Sequence, residues 1–362
     1  MIHQYRNNGY NIVLDVNSGS VHVVDDLCYD LIACLEAMNP DHTEATLQSE
    51  ETSAYVKEQL GEKYKEDELK EALEDIAELT KAGQLFTKDI YEAYIGEVKS
   101  RKTVVKALCI HIAHDCNLAC QYCFAEEGEY HGRRALMSYE IGKKALDFLI
   151  ANSGNRKNLE VDFFGGEPLM NWQVVKDLVA YGREQEKIHD KHFRFTVTTN
   201  GVLLNDEVQE FINQEMDNVV LSLDGRREIN DRMRPFRNGK GSYDLIVPKF
   251  QKLAKSRNQQ KYYVRGTFTR QNLDFSEDVR HFVDLGFQQM SIEPVVGDET
   301  DPYAIRKEDL PQIFEEYDKL ASYMIQREKE GKGFNFYHFM IDLEGGPCIA
   351  KRLSGCGSGT EY

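Results

Sequence analysis

Cys116-Asn117-Leu118-Ala119-Cys120-Gln121-Tyr122-Cys123 crowds three thiols into one short run. The run follows directly on an alternating apolar stretch, 105–113, that reads as a β-strand. Three thiolates on one short loop can each bind one iron of a cubane, leaving the fourth iron open to a bidentate small molecule. A zinc knot is the competing reading, but zinc wants a fourth Cys or His at close spacing. His111 and His114 lie before the triplet, within or at the end of the strand, and the separation of His131 suits no common zinc pattern. The C-x3-C-x2-C spacing, with the aromatic Tyr122 before the last thiol, therefore points to an iron–sulfur cluster on Cys116, Cys120 and Cys123.

Outward from this loop, strands and helices alternate. Strands are expected at 105–113, 159–164, 193–199, 218–223, 262–269 and 289–294, with helices including 139–151, 174–187, 243–255 and 276–285. Strands separated by helices pair in parallel through right-handed crossovers. Six such units make an α/β fold, a partial (βα)6 TIM-like barrel over 104–330, whose reactive face lies at the carboxyl ends of the strands.

The polar motifs fall at those ends. Gly165-Gly166-Glu167-Pro168 closes the second strand, where glycines admit close backbone approach and a carboxylate can accept from a cation. Thr198-Thr199-Asn200-Gly201 ends the third strand and Ser222-Leu223-Asp224-Gly225 the fourth, although turn chemistry alone explains Asn-Gly and Asp-Gly pairs. Arg234, in Asn230-Asp231-Arg232-Met233-Arg234, could clamp a carboxylate as a fork, with a surface ion pair as the alternative. Arg265, Thr267 and Glu293-Pro294-Val295 either line the cavity or fill the barrel core.

With this loop and these strand ends, the sequence resembles the radical S-adenosylmethionine (SAM) superfamily. The resemblance implies a [4Fe-4S] cluster on the three cysteines and SAM on its open iron. It implies that Tyr122 packs near the adenine and that Gly165, Gly166 and Glu167 bind the SAM amino group. Ser222 would contact the ribose or carboxylate, Asn200 is a further cofactor-binding candidate, and Arg234 would hold the carboxylate. Asn230 departs from the His that family members often carry there. No catalytic residue beyond the cluster is assigned.

The ends of the chain read separately. Ile12, Leu14 and Val16 alternate, Asn17-Ser18-Gly19-Ser20 can turn, and Val21–Val24 returns as a hairpin. Asp25 or Asp26 can cap a helix carrying Leu27, Leu31 and Leu35, and Leu69, Leu73, Ile76 and Leu79 mark another that Gly83 can end. A hairpin with about three helices over 1–90 has winged-helix size; a polar linker, 91–103, follows. By resemblance this is a winged-helix-like peptide-recognition domain that takes a precursor's leader as an added strand. Gly346-Pro347-Cys348 and Gly355-Cys356-Gly357 resemble the start of a SPASM/twitch extension, 331–362, with Cys348 and Cys356 as possible ligands of auxiliary [4Fe-4S] clusters. Such an extension normally needs more cysteines, so a truncated chain is expected; two free thiols are the plainer reading.

Across its length the chain resembles the radical SAM maturases of Cys-rich "six cysteines in forty-five" precursors. The matching stretches include 9–19, Ile112-Ala113-His114-Asp115-Cys116-Asn117-Leu118 and 350–356. The implied activity is Cys thioether formation on a ribosomally made peptide, with flavodoxin or ferredoxin as electron donor. Dehydrogenation of the anaerobic sulfatase-maturing type, residue epimerisation, electron transfer alone, and peptide binding around a structural metal are the alternatives. A formal charge of −17 gives no cationic face for nucleic acid. No signal-like or membrane-spanning run is seen and no disulfide framework is expected, so a cytoplasmic protein is expected.

Overall fold

Alternation along the strands decides the larger sheet. Leu108, Ile110 and Ile112, then Leu159, Val161 and Phe163, then Phe193, Phe195 and Val197 are all buried against helices. Their neighbours in sequence turn to the other face, where the register aligns Cys109, Asp162, Thr196 and Asn218 in one row. The barrel wall is thus apolar outside and largely polar inside, the reverse of a sheet with a greasy lumen. The computed structural model describes residues 1–39, 41–94, 96, 103–342, 346 and 360–362. Its two units have Met1–Lys102 and Thr103–Met340 as their main segments.

In the larger unit, β4 (Ala107–His114), β6 (Asn158–Gly165), β7 (His192–Thr199), β8 (Asn218–Ser222), β9 (Tyr263–Phe268) and β10 (Gln289–Pro294) follow one another in parallel. Between them run α5 (Tyr139–Asn152), α6 (Trp172–His189), α7 (Asp206–Glu215), α8 (Arg227–Met233), α9 (Tyr243–Ser256) and α10 (Phe275–Asp284). The order is open, so this is the expected partial barrel. Two short strands extend it. β5 (Ala135–Leu136) pairs antiparallel with β4, and β11 (Asn335–Phe336), after α11 (Leu310–Lys329), pairs parallel with β10. The sheet therefore continues past 330, where the sequence pattern ended it, and Phe336 is fully buried in its core. At the other edge, Tyr362 N–H donates to the Ala107 carbonyl, 3.1 Å. Cys109 turns into the lumen and is exposed.

The smaller unit is a three-stranded antiparallel meander, β1 (Ile2–Asn7), β2 (Tyr10–Asp15) and β3 (Val21–Val24), with α1 (Asp26–Met38), α2 (Glu44–Leu47), α3 (Glu50–Leu60) and α4 (Glu66–Lys81). Val13, Leu31, Ile32, Leu35, Leu69 and Ile76 share its core. Asp25 caps α1 by accepting from Cys28 N–H, and Gly83, at φ +69°, follows α4 in the left-handed conformation a helix end favours. The additions to the expected hairpin are β1 and the single turn α2.

Phe195 is fully buried and stacks between Phe163 and Phe193, at centroid distances of 5.7 and 5.5 Å. Truncation there should lose the ring's burial and leave a hole that neighbouring strands cannot close. Phe195→Ala should destabilise the larger unit by about 3–5 kcal/mol, read as a lower urea midpoint. A midpoint within the scatter of the parent protein would show that the strand core is loosely packed.

Candidate active site

β4 delivers the chain to Asp115 and the cysteine loop, and backbone pairing fixes the loop's course. Ala119 N–H donates to Pro235 O and Gln121 N–H to Met233 O, both at 2.9 Å, while Leu118 bridges to Phe236. Leu118 is buried beneath the loop, and Arg237 donates to Asp115 Oδ1 (3.0 Å) and to the Cys116 carbonyl (2.6 Å). The segment after α8 thus holds the loop against the end of the barrel.

Cys116, Cys120 and Cys123 all line one cavity of about 560 Å³ at the carboxyl ends of the strands. Among the described residues, no three His, Cys, Asp or Glu side chains converge as they would on a single metal ion. Thiolates on one loop can each bind a separate iron of a cubane, which needs no fourth protein ligand. Burial pushes the Cys116 thiol up to about 12 and Cys120 up to about 11, so metal ligation is what would hold them as thiolates. Asn117 Nδ2, buried within the loop, has no hydrogen-bond partner among the described residues. The donor set fits a [4Fe-4S] cluster.

Tyr122, Gly165, Gly166, Asn200, Ser222 and Arg234 line the same cavity, with Arg265, Thr267, Glu293, Pro294 and Val295. A Cβ on Gly166 would stand 2.1 Å from the Asp115 carbonyl oxygen, and Gly165 adopts φ +125°, so side chains are excluded from this approach.

Glu167 is engaged within the protein. It is fully buried and lies outside the cavity lining, accepting from Thr199 Oγ1 (2.7 Å), Asn200 N–H (2.8 Å) and Leu169 N–H (3.0 Å). Its carboxyl group ties the second strand end to the third. Arg234 lines the cavity and is held in an ion pair. Its Nε donates to Asp224 Oδ1 at 2.9 Å, and its guanidinium lies 5.5 Å from the Tyr122 ring centroid. The Tyr122 hydroxyl, at 2.8 and 2.7 Å from the two Asp224 oxygens, is engaged there too. Asp224 is fully buried and also accepts from Thr267 N–H at 3.0 Å.

Asp224 was quoted at the strand end but given no role, because Asp-Gly after a strand equally describes a turn. Its position at the same rim as Asn200 was the available signal. Phe124, 69% exposed at the cavity edge, and Arg237 were missed. Cys348 and Cys356 lie outside the described residues.

Residues 105–247 match the family described as "4Fe-4S single cluster domain". TigE of Paramaledivibacter caminithermalis, a radical SAM cyclopropyl synthase, is 24% identical over 39% of this chain and 33% of its own length. The fold resembles anSMEcpe solved with AdoMet and a peptide, Kp18Cys, with TM-score 0.57, 17% identity and coverage of 65% of this chain and 64% of that one. SuiB of Streptococcus suis, solved with its precursor peptide SuiA, gives TM-score 0.51 and 16% identity over 92% of this chain and 70% of that one. The chain spans 62%, 33% and 31% of three curated relatives. The resemblance read from the cysteine spacing thus meets a cluster-domain family over 105–247 and a fold shared with anSMEcpe and SuiB, and a [4Fe-4S] cluster with SAM is the cofactor set these matches support. Among the described residues, no helix is long and apolar enough to cross a membrane.

Two outcomes test the site. Asp224→Asn should strand the Arg234 charge in the interior and cost about 3–5 kcal/mol by chemical denaturation, with Asp224→Leu/Arg234→Met recovering part of the loss. A single variant as stable as the parent would show that the pair does not organise the site. Glu167, held by burial up to about 7 against an ordinary 4.5, keeps a proton in the folded state that the unfolded chain releases. Its contribution is full below the unfolded value and is lost as pH rises through the folded one. Stability should therefore fall between about pH 5 and about pH 8, less steeply in Glu167→Gln; equal slopes would remove Glu167 as the cause.

Proposed function

We propose that this chain is a radical SAM enzyme that matures a ribosomally made Cys-rich peptide by forming Cys thioether crosslinks. The observation that carries the reading is the placement of three free thiols around one cavity at the carboxyl mouth of a (βα)6 barrel. When bound, the reduced cluster and SAM supply a 5′-deoxyadenosyl radical able to remove hydrogen from a peptide carbon.

The chain's own residues place and shelter that chemistry. Cys116, Cys120 and Cys123 would hold the cluster, and Gly165 and Gly166 leave backbone room beside it for SAM. Ser222 and Asn200 offer polar groups at the same rim, and Tyr122, pinned through its hydroxyl, presents a fixed ring to the cavity. Arg265 and Glu293, 2.5 Å apart on neighbouring strands, line the side reached from outside and can meet charged or amide groups of a peptide.

Peptide capture is assigned to residues 1–90. β3 is an edge strand, and Val21 and Val23 on it are exposed, Val23 by 65%. An extended leader can add to such an edge through backbone hydrogen bonds, with apolar side chains seated on the valines. The peptide partners of anSMEcpe and SuiB support a peptide substrate. A flavodoxin or ferredoxin would deliver the electron, and Cys348 and Cys356 would contribute to auxiliary clusters.

Cys120→Ala should lose iron after anaerobic loading and cease releasing 5′-deoxyadenosine from SAM; undiminished release would refute the assignment. With a Cys-rich precursor as substrate, mass spectrometry should show the loss of two hydrogens per thioether bridge. Val21→Asp/Val23→Asp should weaken precursor binding by about tenfold, roughly 1.4 kcal/mol, at unchanged iron content. Unchanged affinity would remove β3 as the docking edge.

A further inference from the structure

Asn200 stands on the third strand end, 7% exposed, and its amide is fixed on both sides. Oδ1 accepts from Val202 N–H at 3.0 Å, which settles the orientation of the group. Nδ2 then faces the cysteine loop. One of its hydrogens goes to Asn117 Oδ1 at 2.8 Å, and Nδ2 lies 3.6 Å from Cys116 Sγ, within reach of a sulfur acceptor. The backbone is held as well, since Asn200 N–H donates to Glu167 Oε2 at 2.8 Å. Leu118 N–H, 3.5 Å from the same sulfur, is a second donor.

We infer that Asn200 is a positioning residue that sets the reduction potential of the cluster through its amide N–H on Cys116 Sγ. The inference rests on the reading of the three cysteines as cluster ligands. A donor dipole pointed at a thiolate stabilises the more negative, reduced state, and burial strengthens the effect by lowering the local dielectric. The amide adds no charge and needs no protonation, so its effect persists across pH. The arrangement also couples the third strand to the first: a shift of 198–201 would change both the distance to Cys116 and the room left at the cavity wall.

The test uses the full chain, loaded anaerobically with iron and sulfide and measured without SAM. Dithionite supplies the single electron, and EPR-monitored potentiometry reads the potential of the parent, Asn200→Ala and Asn200→Asp. Both variants keep the backbone N–H to Glu167, and Asn200→Asp keeps the side-chain shape while replacing the donor with an acceptor. With iron content equal to the parent's, reduction of Asn200→Ala should become about tenfold less favourable, ~59 mV more negative for one electron. Asn200→Asp should move at least as far in the same direction. Unchanged potentials in both variants would overturn the inference while leaving the cluster assignment standing. Loss of iron from both variants, with the parent loading normally, would overturn it in favour of a purely structural role. A parent protein that takes up no iron would instead sink the reading beneath it.

Discussion

The carboxylate of Asp224 places a negative charge inside the mouth of the barrel, and three separate elements are drawn to it. Arg234 comes from the segment after α8, Tyr122 from the cysteine loop and the Thr267 amide from β9. An ion removed from water costs several kcal/mol unless its oxygens are satisfied, so each donor is held with little freedom. Tyr122 lies between Cys120 and Cys123 in sequence, so anchoring its hydroxyl also sets the pose of two of the three thiols. The backbone bonds from Ala119 and Gln121 to the stretch just before Phe236 act in the same sense. Charge compensation and cluster geometry are one constraint here.

The same logic separates the cavity's two arginines. Arg234 is neutralised by a fully buried partner and retains 12% of its side-chain exposure, so it works as scaffold. Arg265 pairs with Glu293 while 48% exposed, and such a pair contributes little when water competes for both partners. Either member of the exposed pair can exchange its partner for a ligand group at small cost. Beside the cysteine loop, Arg134 and Arg237 are matched locally by Asp115, Glu127 and Glu129.

The six long strands and the metal-binding loop were legible in the sequence because each rests on a repeating or tightly spaced pattern. Leu159, Val161 and Phe163 alternate as only a half-buried strand does, and three cysteines at C-x3-C-x2-C leave few chemistries open. β5 and β11 span two residues each and cannot show a period. β1 carries His3, Gln4, Tyr5 and Arg6 on a mostly exposed strand, where burial imposes no pattern. The partners of Glu167 and Arg234 were not legible, because a charge's partner is set by tertiary contacts between distant strand ends. Asp224 was hidden for the complementary reason, since Asp-Gly is ambiguous until Arg234 and Tyr122 are seen to converge on it.

The floor of the cavity is a closed circuit. Cys116 N–H donates to Asp115 Oδ1, Glu167 N–H to the Asp115 carbonyl, Asn200 N–H to Glu167 Oε2, and Asn200 Nδ2 returns to Cys116 Sγ. Three consecutive strand ends are joined in this ring, and no one of them can slide without lengthening at least two bonds. An open chain of the same contacts would let one end fray while the rest held. The rim is different: Phe124 and Val296 are 69% and 89% exposed, and side chains with so few neighbours can reorient freely. A site that holds a metal cluster needs its sulfur ligands positioned to fractions of an ångström, and the bonded ring supplies that rigidity while the rim stays adaptable.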